Sequence, residues 1–364
     1  MGKSADQQAV RVLRLRLKDK HARVLREKAY WVNQVWNYSN ELSYKVWERE
    51  RKFLSGYDFA KYTKGSSKAG IPLHSQTIQA ISEEYAIRRK QAGKVKLRWR
   101  KSTGARRSLG WIPFKASALK YRNGQLWMSG IDTPLGLWDS YGLSGYELGA
   151  GNLAEDSRGR WYINICARPK VKPMQQMHLF NDTVGVDLGL KDFAATSDGV
   201  VIEAQKVYRA LENKLGIAQR ANKKDRVKAI HAKIARRRKD FHHKLSRQLV
   251  DSYAAIFIGN VNAIALAKTR MAKSVLDAGW SQFRRQVQYK SDDAGIWCDV
   301  VDEAFSTVTC SACGARSGPS GLKELRIRQW VCPECGAMHN RDVNSGKNIA
   351  AAGRRRLEAG IPVL

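Results

Sequence analysis

Four cysteines stand as Cys310-Ser-Ala-Cys313 and Cys332-Pro-Glu-Cys335, with eighteen residues between the pairs. Two Cys-x-x-Cys knuckles at that spacing can surround one tetrahedral zinc with four thiolates. With sulfur at every position no place remains for water, so such an ion is structural. Six residues after Cys335 comes Arg341-Asp342, and a second carboxylate, Asp187, ends the apolar run Val184-Gly-Val-Asp187-Leu-Gly189. Carboxylates are hard oxygen ligands that suit magnesium. Hydrolysis of a phosphodiester uses two such ions about 4 Å apart, one generating the nucleophile and one stabilising the leaving oxygen. Alone, a strand-borne aspartate more often has a structural part, and an aspartate opening a helix more often caps it.

Those residues need elements that bring them together. Val184 to Asp187 reads as a strand, followed by Phe193 to Thr196 and, after the turn Ser197-Asp198-Gly199, Val200 to Ile202. Such short turns imply an antiparallel meander. A helical segment spans Gln205 to Tyr253; between Lys206 and Arg247 it holds 15 Lys/Arg against 3 Asp/Glu, so its open faces are basic. Ala254 to Ile258 reads as a buried strand ending at Gly259, Ser274 to Ser291 as a helix, and Ile296 to about Phe305 as a strand entering the first knuckle. Ser345 to Arg356 is helical. An antiparallel set of strands, then helix, strand, helix and strand, fits a ribonuclease-H-type core better than a doubly wound sheet.

In the first half, Leu13, Leu15 and Leu17 alternate with Arg14, Arg16 and Lys18, the pattern of a half-buried strand with a basic outer face. His21 to about Leu54 is helical and rich in aromatics (Tyr30, Trp31, Trp36, Tyr38, Tyr44, Trp47), most of them suited to core packing and one or two to base stacking. Ser75 to Gln91 is a second helix. After Gly93 the period drops to two, with Val95, Leu97 and Trp99 between Lys94, Lys96, Arg98 and Arg100. Further runs at Leu109 to Phe114, Leu119 to Tyr121, Leu126 to Met128 and Trp161 to Ala167 complete the expectation of a small β-barrel with a basic face. Pro169 to Met177 reads as a linker.

Lys and Arg number 65 against 33 Asp and Glu, a formal charge of +32 on 364 residues. An excess of that size calls for a polyanionic partner, and its spread along the whole chain favours nucleic acid over a membrane surface. No apolar run has the length of a membrane span and no signal peptide opens the chain, so a cytoplasmic location is expected. Two further cysteines, Cys166 and Cys298, lie in apolar strand-like runs and are expected to be buried free thiols. Lys94, Lys96, Arg98, Arg100, Arg106, Arg107, Arg236, Arg237 and Arg238 are candidate phosphate contacts, about half of them expected to be simply solvated.

The run Val184-Gly-Val-Asp-Leu-Gly-Leu, the paired knuckles, and Asn340-Arg-Asp-Val-Asn-Ser-Gly-Lys-Asn-Ile349 together resemble TnpB, the RNA-guided nuclease of insertion sequences and a relative of the compact type V CRISPR effectors. The likeness covers about Asp182 to Ala352. It implies an α+β multidomain fold: a wedge-like β-barrel (1–20 and 93–175) carrying a helical recognition insertion (21–92). A RuvC, RNase H-like core (180–309 and 337–364) would follow, with a zinc ribbon (310–336) inserted.

The resemblance makes Asp187 and Asp342 the first and last acids of an Asp-Glu-Asp triad holding two Mg2+, with one structural Zn2+ in the ribbon. Its middle member departs from the pattern: the usual Glu-Asp-Leu is replaced by Gly259-Asn260-Val261. Either the carboxylate comes from Glu303, in Val300-Val301-Asp302-Glu303, or the chain is an inactive RNA-guided DNA-binding repressor. Retention of Asp187 and Asp342 favours the active form. The implied partners are a guide RNA and double-stranded target DNA, with no membrane, the protein acting as a monomer or as a homodimer on one RNA in the bacterial nucleoid. A transposase joining DNA ends would use the same three acids, and the ribbon between the second and third speaks against it.

Overall fold

A computed structural model describes residues 10–93, 95–170, 182–321, 324 and 326–359. It divides into two compact units, meeting in sequence at residues 172 and 173.

In the first unit the leucine alternation forms β1 (Arg11–Arg16), followed by α1 (Ala22–Glu50), the short α2 (Ala60–Thr63) and α3 (Ser75–Gln91). Then come β2 (Trp111–Phe114), β3 (Leu119–Arg122), β4 (Gln125–Met128), β5 (Tyr146–Glu155) and β6 (Trp161–Pro169). An antiparallel four-stranded sheet has the order β1-β6-β5-β2, and β3 and β4 form a separate hairpin. Single bridges, Leu17 with Leu137 and Leu126 with Leu135, stitch the hairpin toward the sheet. Leu13 and Leu15 of β1 share one core with Leu25 and Val32 of α1 and Ile78 and Ile81 of α3. Pro169 closes β6; the remainder of the expected linker, 171–177, lies outside the described residues.

Two expectations change in this unit. Residues 95–100 are not a strand, and Val95 and Trp99 are exposed. The extended chain pairs instead with a row of buried asparagines on α1. Asn40 accepts from Leu97 N (3.1 Å) and donates to Leu97 O (2.6 Å), while Asn37 accepts from Arg100 N (2.8 Å) and donates to Arg100 O (2.9 Å). Side-chain amides thus satisfy the backbone groups a neighbouring strand would have taken. Conversely β5 carries no apolar alternation, because Gly149 and Gly151 replace side chains where it crosses β6. A Cβ on Gly151 would overlap Asn164 O and the Phe114 ring, and the register shifts between Leu148 and Gly151.

The second unit begins with β7 (Thr183–Leu188), β8 (Asp192–Thr196) and β9 (Val201–Glu203). Helices α4 (Val207–Arg220) and α5 (Lys224–Ser252) lead to β10 (Ala255–Gly259). Then follow α6 (Ala263–Leu266), α7 (Ala272–Ala278), α8 (Trp280–Ala294), β11 (Trp297–Val301), the ribbon strands β12 (Gln329–Val331) and β13 (Met338–Asn340), and α9 (Arg341–Glu358). The segment expected as one helix to Tyr253 breaks at Asn222 (φ +51°), and that expected over Ser274 to Ser291 breaks at Gly279 (φ +65°). Both residues tolerate the left-handed backbone that ends a helix.

The five-stranded sheet has the order β11-β10-β7-β8-β9. β7, β8 and β9 run antiparallel, while β10 is parallel to both β7 and β11. Strand alternation gives the sheet two faces. Val184, Val186 and Leu188 pack with Leu245 and Leu249 of α5 and Phe283 and Val287 of α8. The opposite face meets α9, which approaches so closely that a Cβ on Gly185 would overlap Gly346 O and Ala350 N.

Candidate active site

Gly185 fixes the geometry around the first acid. Two residues along β7, Asp187 shares its face and so lies under the first turn of α9. Ile258 of β10 is level with Val186, which puts Gly259 alongside Asp187 on that face. Phe257, two residues earlier, is covered by Gly353 of α9, where a Cβ would overlap its ring.

Asp342 lies in the first turn of α9 but does not cap it. Asn340 does, its side-chain oxygen accepting from Asp342 N (3.1 Å) and Val343 N (3.2 Å). The Asp342 carboxylate is therefore free for other work, and Arg328 Nη1 donates to both of its oxygens at 2.8 and 2.7 Å. Asp187, Asp342, Arg328 and Asp192 line a cavity of about 50 Å3.

Glu303 does not lie in β11, which ends at Val301, so the strand alternation expected for Asp302 and Glu303 does not set its direction. Asn260 does this instead: it donates to Asp302 Oδ1 (3.2 Å) and accepts from Glu303 N (3.3 Å). The turn delivers the Glu303 carboxylate into the space over Gly259. A Cβ built on Gly259 would overlap Glu303 Oε2 and meet Ile349 Cδ1 at 3.2 Å. Glu303 Oε2 is buried and has no hydrogen-bond partner. The place left by a missing side chain on β10 is filled by a carboxylate from the next crossover.

Electrostatics tie the three acids together. Burial, then the negative charges of Glu303 and Asp342, push the Asp187 carboxyl up to about 7, against the Ser345 hydroxyl and Arg341, which favour its charged form. Burial also raises Glu303, opposed by Arg284 and the Val261 backbone N–H. Burial and neighbouring negative charge both favour the protonated form of a carboxyl. Among the described residues, the cysteine ribbon is the His/Cys/Asp/Glu group whose ligand atoms all lie within 4.8 Å of one another; the acids stand further apart. An unpartnered buried carboxylate oxygen beside two more acids is the donor chemistry a hard divalent cation fits.

The four cysteines converge as their spacing predicts. Each knuckle closes in the same way: Cys310 N donates to Ala315 O and Gly314 N to Cys310 O, and Cys332 N donates to Ala337 O and Gly336 N to Cys332 O. Gly314 (φ +81°) and Gly336 (φ +72°) supply the left-handed residue after each pair. His339 is no fifth ligand: it is buried, tilted against Trp330, and places Nε2 3.0 Å from Cys310 Sγ. Asn344 and Asn348 of α9 donate to Thr309 O at 2.8 and 2.7 Å, anchoring the ribbon beside Asp342.

The basic candidates divide. Arg98, Arg106, Arg236 and Arg237 are exposed. Lys96 pairs with Glu41 (2.9 Å). Arg100 is held by Asn33 (2.6 Å) and Leu109 O (2.8 Å), and Arg107 grips buried Glu155 through both nitrogens (2.7 and 2.9 Å). Arg238 donates to Leu276 O (2.8 Å). Lys94 lies outside the described residues. Of the remaining cysteines, Cys298 is buried and Cys166 half-buried, both free. Arg328 and Ser345 were not singled out in the sequence, and Asn260 only as the residue beside the vacant acid position; each acts through a contact between distant segments that no local pattern announces.

Residues 166–270 match the OrfB_IS605 family, described as "Probable transposase", and residues 280–349 match the Cas12f1-like TNB domain family. Asp187 falls in the first stretch; Glu303, the four cysteines and Asp342 fall in the second. A Streptomyces pristinaespiralis protein named "Putative RNA-guided DNA endonuclease" is 32% identical over 255 residues, 66% of this chain and 62% of that protein. TnpB-like protein L79 of Acanthamoeba polyphaga mimivirus is 24% identical over 55% of this chain and 42% of its own length. This chain is similar to proteins named TnpB-like and RNA-guided DNA endonuclease. It spans less than two thirds of the length of either of those proteins. The fold is similar to that of the Cas12f1 chain in a solved Cas12f1-sgRNA-target DNA complex, with TM-score 0.57, 13% identity, and coverage of 92% of this chain and 83% of that one. No helix among the described residues is long and apolar enough to cross a membrane.

Proposed function

We propose that this chain is an RNA-guided DNA endonuclease whose RuvC-type centre is Asp187, Glu303 and Asp342. The observation that carries the reading is the Glu303 carboxylate standing over Gly259 with Oε2 buried and unpartnered. Leaving a buried carboxylate oxygen without a partner costs free energy, and a cation met there would offset it. The β11-β10-β7-β8-β9 order, with its antiparallel meander and two parallel strands, is the arrangement expected of an RNase H-like core.

Two magnesium ions held by the three acids would supply charge neutralisation and an acidified water for attack on phosphorus. Glu303 and Asp187 offer oxygens from the floor of the site, and Asp342 offers its pair from the helix above. Arg328 neutralises Asp342 in the metal-free chain and stands ready to meet a phosphate oxygen. One zinc in the cysteine ribbon would hold β12 and β13 beside α9 and thereby fix Arg328.

Residues 1–20 and 93–175 serve as the wedge, 21–92 as the recognition helices, 180–309 and 337–364 as the nuclease core, and 310–336 as the ribbon. A guide RNA bound on the basic surfaces supplies sequence specificity, and the protein reads a short flanking duplex motif. The protein works in the bacterial cytoplasm, as a monomer or as a homodimer on one RNA.

The test is to purify the chain with its own RNA, sequence that RNA, and offer DNA matching its variable end with and without Mg2+. Metal-dependent cutting, lost in Glu303→Gln with RNA binding intact, is the expected result. Guided binding without cutting under every metal condition would instead make the protein a repressor.

A further inference from the structure

In the first unit a cavity of about 250 Å3 opens between α1, the loop 101–108, the end of β5 and the start of β6. The loop is closed on itself: Ser108 N donates to Lys101 O (2.7 Å), Lys101 N donates to Ser108 Oγ (3.1 Å), and Gly104 (φ +82°) turns the chain between them. Glu155 is the one carboxylate among the described residues of the wall, and its side chain has no exposed surface. Both of its oxygens are taken. Arg107 Nη1 donates to Oε2 (2.7 Å) and Nη2 to Oε1 (2.9 Å), Gly110 N donates to Oε2 (3.0 Å), and Arg26 Nε stands 3.8 Å from Oε1. Only glycine allows the approach at 110, because a Cβ there would overlap the Trp161 ring. Burial pushes the Glu155 carboxyl up, but Arg107, the Gly110 N–H and Arg26 outweigh it and hold the group below its ordinary range.

What the cavity has left over is hydrogen-bond donors. Asn33 donates to Ser102 Oγ (3.0 Å) and accepts from Arg100 Nε (2.6 Å), so both ends of that amide are engaged. The Ser102 and Ser108 hydroxyls each accept a bond, from Asn33 and from Lys101 N, which leaves their hydrogens to give. A guanidinium carries five N–H groups and no acceptor. Arg107 spends two of its five on Glu155, which also fixes its plane, and Arg26 lies beside it. Both are open to solvent, the Arg26 side chain 57% exposed and that of Arg107 40%. Two guanidiniums against one carboxylate leave the cavity cationic. On the α1 side Tyr30 is 45% exposed, its ring set edge to face against Trp31 at 5.5 Å.

Spare donors, a spent acceptor and net positive charge call for an anion with several acceptor oxygens, and guanidinium forks suit phosphate. An accessible aromatic ring on the same cavity suits the face of a base. A duplex hides both faces of its bases in the stack, so a phosphate and a free base face come together on a single strand. We propose that this cavity seats one backbone phosphate of a single-stranded nucleic acid on Arg26 and Arg107, with the adjoining base stacked on Tyr30. The inference rests on the proposed partnership with nucleic acid and is independent of whether the carboxylates cut DNA.

The test is photocrosslinking of the full-length, RNA-free protein to an oligouridylate and to an oligothymidylate, each carrying one central 5-iodouracil, in EDTA so that no strand is cut. Peptide mapping should find a crosslink on Tyr30, and the strand that gives more of it shows whether RNA or DNA is the better occupant. Replacing the phosphate on one or the other side of the iodouracil by an uncharged methylphosphonate should, at one of the two positions, lower the Tyr30 crosslink at least tenfold with the protein unaltered. Arg26→Ala, at an exposed side chain, and Arg107→Lys, which keeps a charge for Glu155 but loses the fork, should each lower it at least threefold. Crosslinks on other aromatics with none on Tyr30, or a Tyr30 crosslink indifferent to both methylphosphonates, overturn the site and leave nucleic-acid binding standing. No crosslink on any residue overturns both.

Discussion

The cysteine ribbon takes its four ligands from residues 310–335, whereas the carboxylate site takes Asp187, Glu303 and Asp342 from three remote points of the chain. The ribbon's ligands are ordered by turns that each knuckle makes within itself, ending in Gly314 and Gly336. The acids are ordered only by tertiary packing: Gly185 admits α9, Gly259 admits Glu303, and Asn260 aims it. Local construction gives a tight cluster of cysteine sulfurs. Long-range construction gives a buried set of carboxyls, and burial first, then the charges of Glu303 and Asp342, raises that of Asp187.

If the ribbon is autonomous and metal-made, removing one ligand should undo it. Cys332→Ser should lower zinc from one equivalent to near none, a loss of about 10 kcal/mol of binding and folding energy. Metal analysis together with proteolysis of residues 310–340 checks this; retained zinc with an intact ribbon would break the contrast.

The carboxylate side is sharpened by exchange. Glu303→Gln should slow guided cleavage about a thousandfold, equivalent to about 4 kcal/mol of barrier. Gly259→Glu combined with Glu303→Ala returns the acid to the strand end and should recover at least tenfold over Glu303→Ala alone. Gly259→Glu by itself, which drives one carboxylate into another, should not cut. Gel assays of cleavage with guide RNA bound decide each case.

Burial and that added repulsion have a pH signature in metal-free protein. Asp187 binds its proton more tightly folded (about 7) than unfolded (3.8). Its contribution to stability is therefore complete below pH 4 and is lost as pH rises through 7. Melting temperature should fall between pH 5 and 8 in wild type and fall less in Asp187→Asn, the difference reaching up to about 4 kcal/mol. Mg2+ should reduce that difference at pH 8, and melts with and without EDTA would show it.

The smallest effect concerns the first unit, where α1 asparagines stand in for a strand. Asn40→Ala leaves Leu97 N and O without that partner and should cost about 1–3 kcal/mol in chemical denaturation. No change would mean that water satisfies those groups equally well.

The same contrast explains what could be read in advance. Knuckle spacing, the β7 run and the strand-helix order of the second unit are local patterns, and the structure repeats them. The Lys94 to Arg100 alternation was misleading because period two marks an extended chain, not the partner it pairs with. Strand β5 was invisible because its contacts with β6 require glycines where a strand pattern requires side chains. Glu303 could be suspected from the vacancy at Gly259, but its aim depends on Asn260 and a turn after Val301. Arg328 gave no signal, since nothing in Arg326-Ile-Arg328 points to a carboxylate fourteen residues ahead.

Manganese scatters anomalously and substitutes for magnesium, so a crystal of the wild-type protein soaked in Mn2+ tests the central claim most directly. The account predicts anomalous peaks among Asp187, Glu303 and Asp342, with Glu303 Oε2 bonded to one of them. Manganese bound by the two aspartates while Glu303 stays unligated, or no manganese there at all, would contradict it.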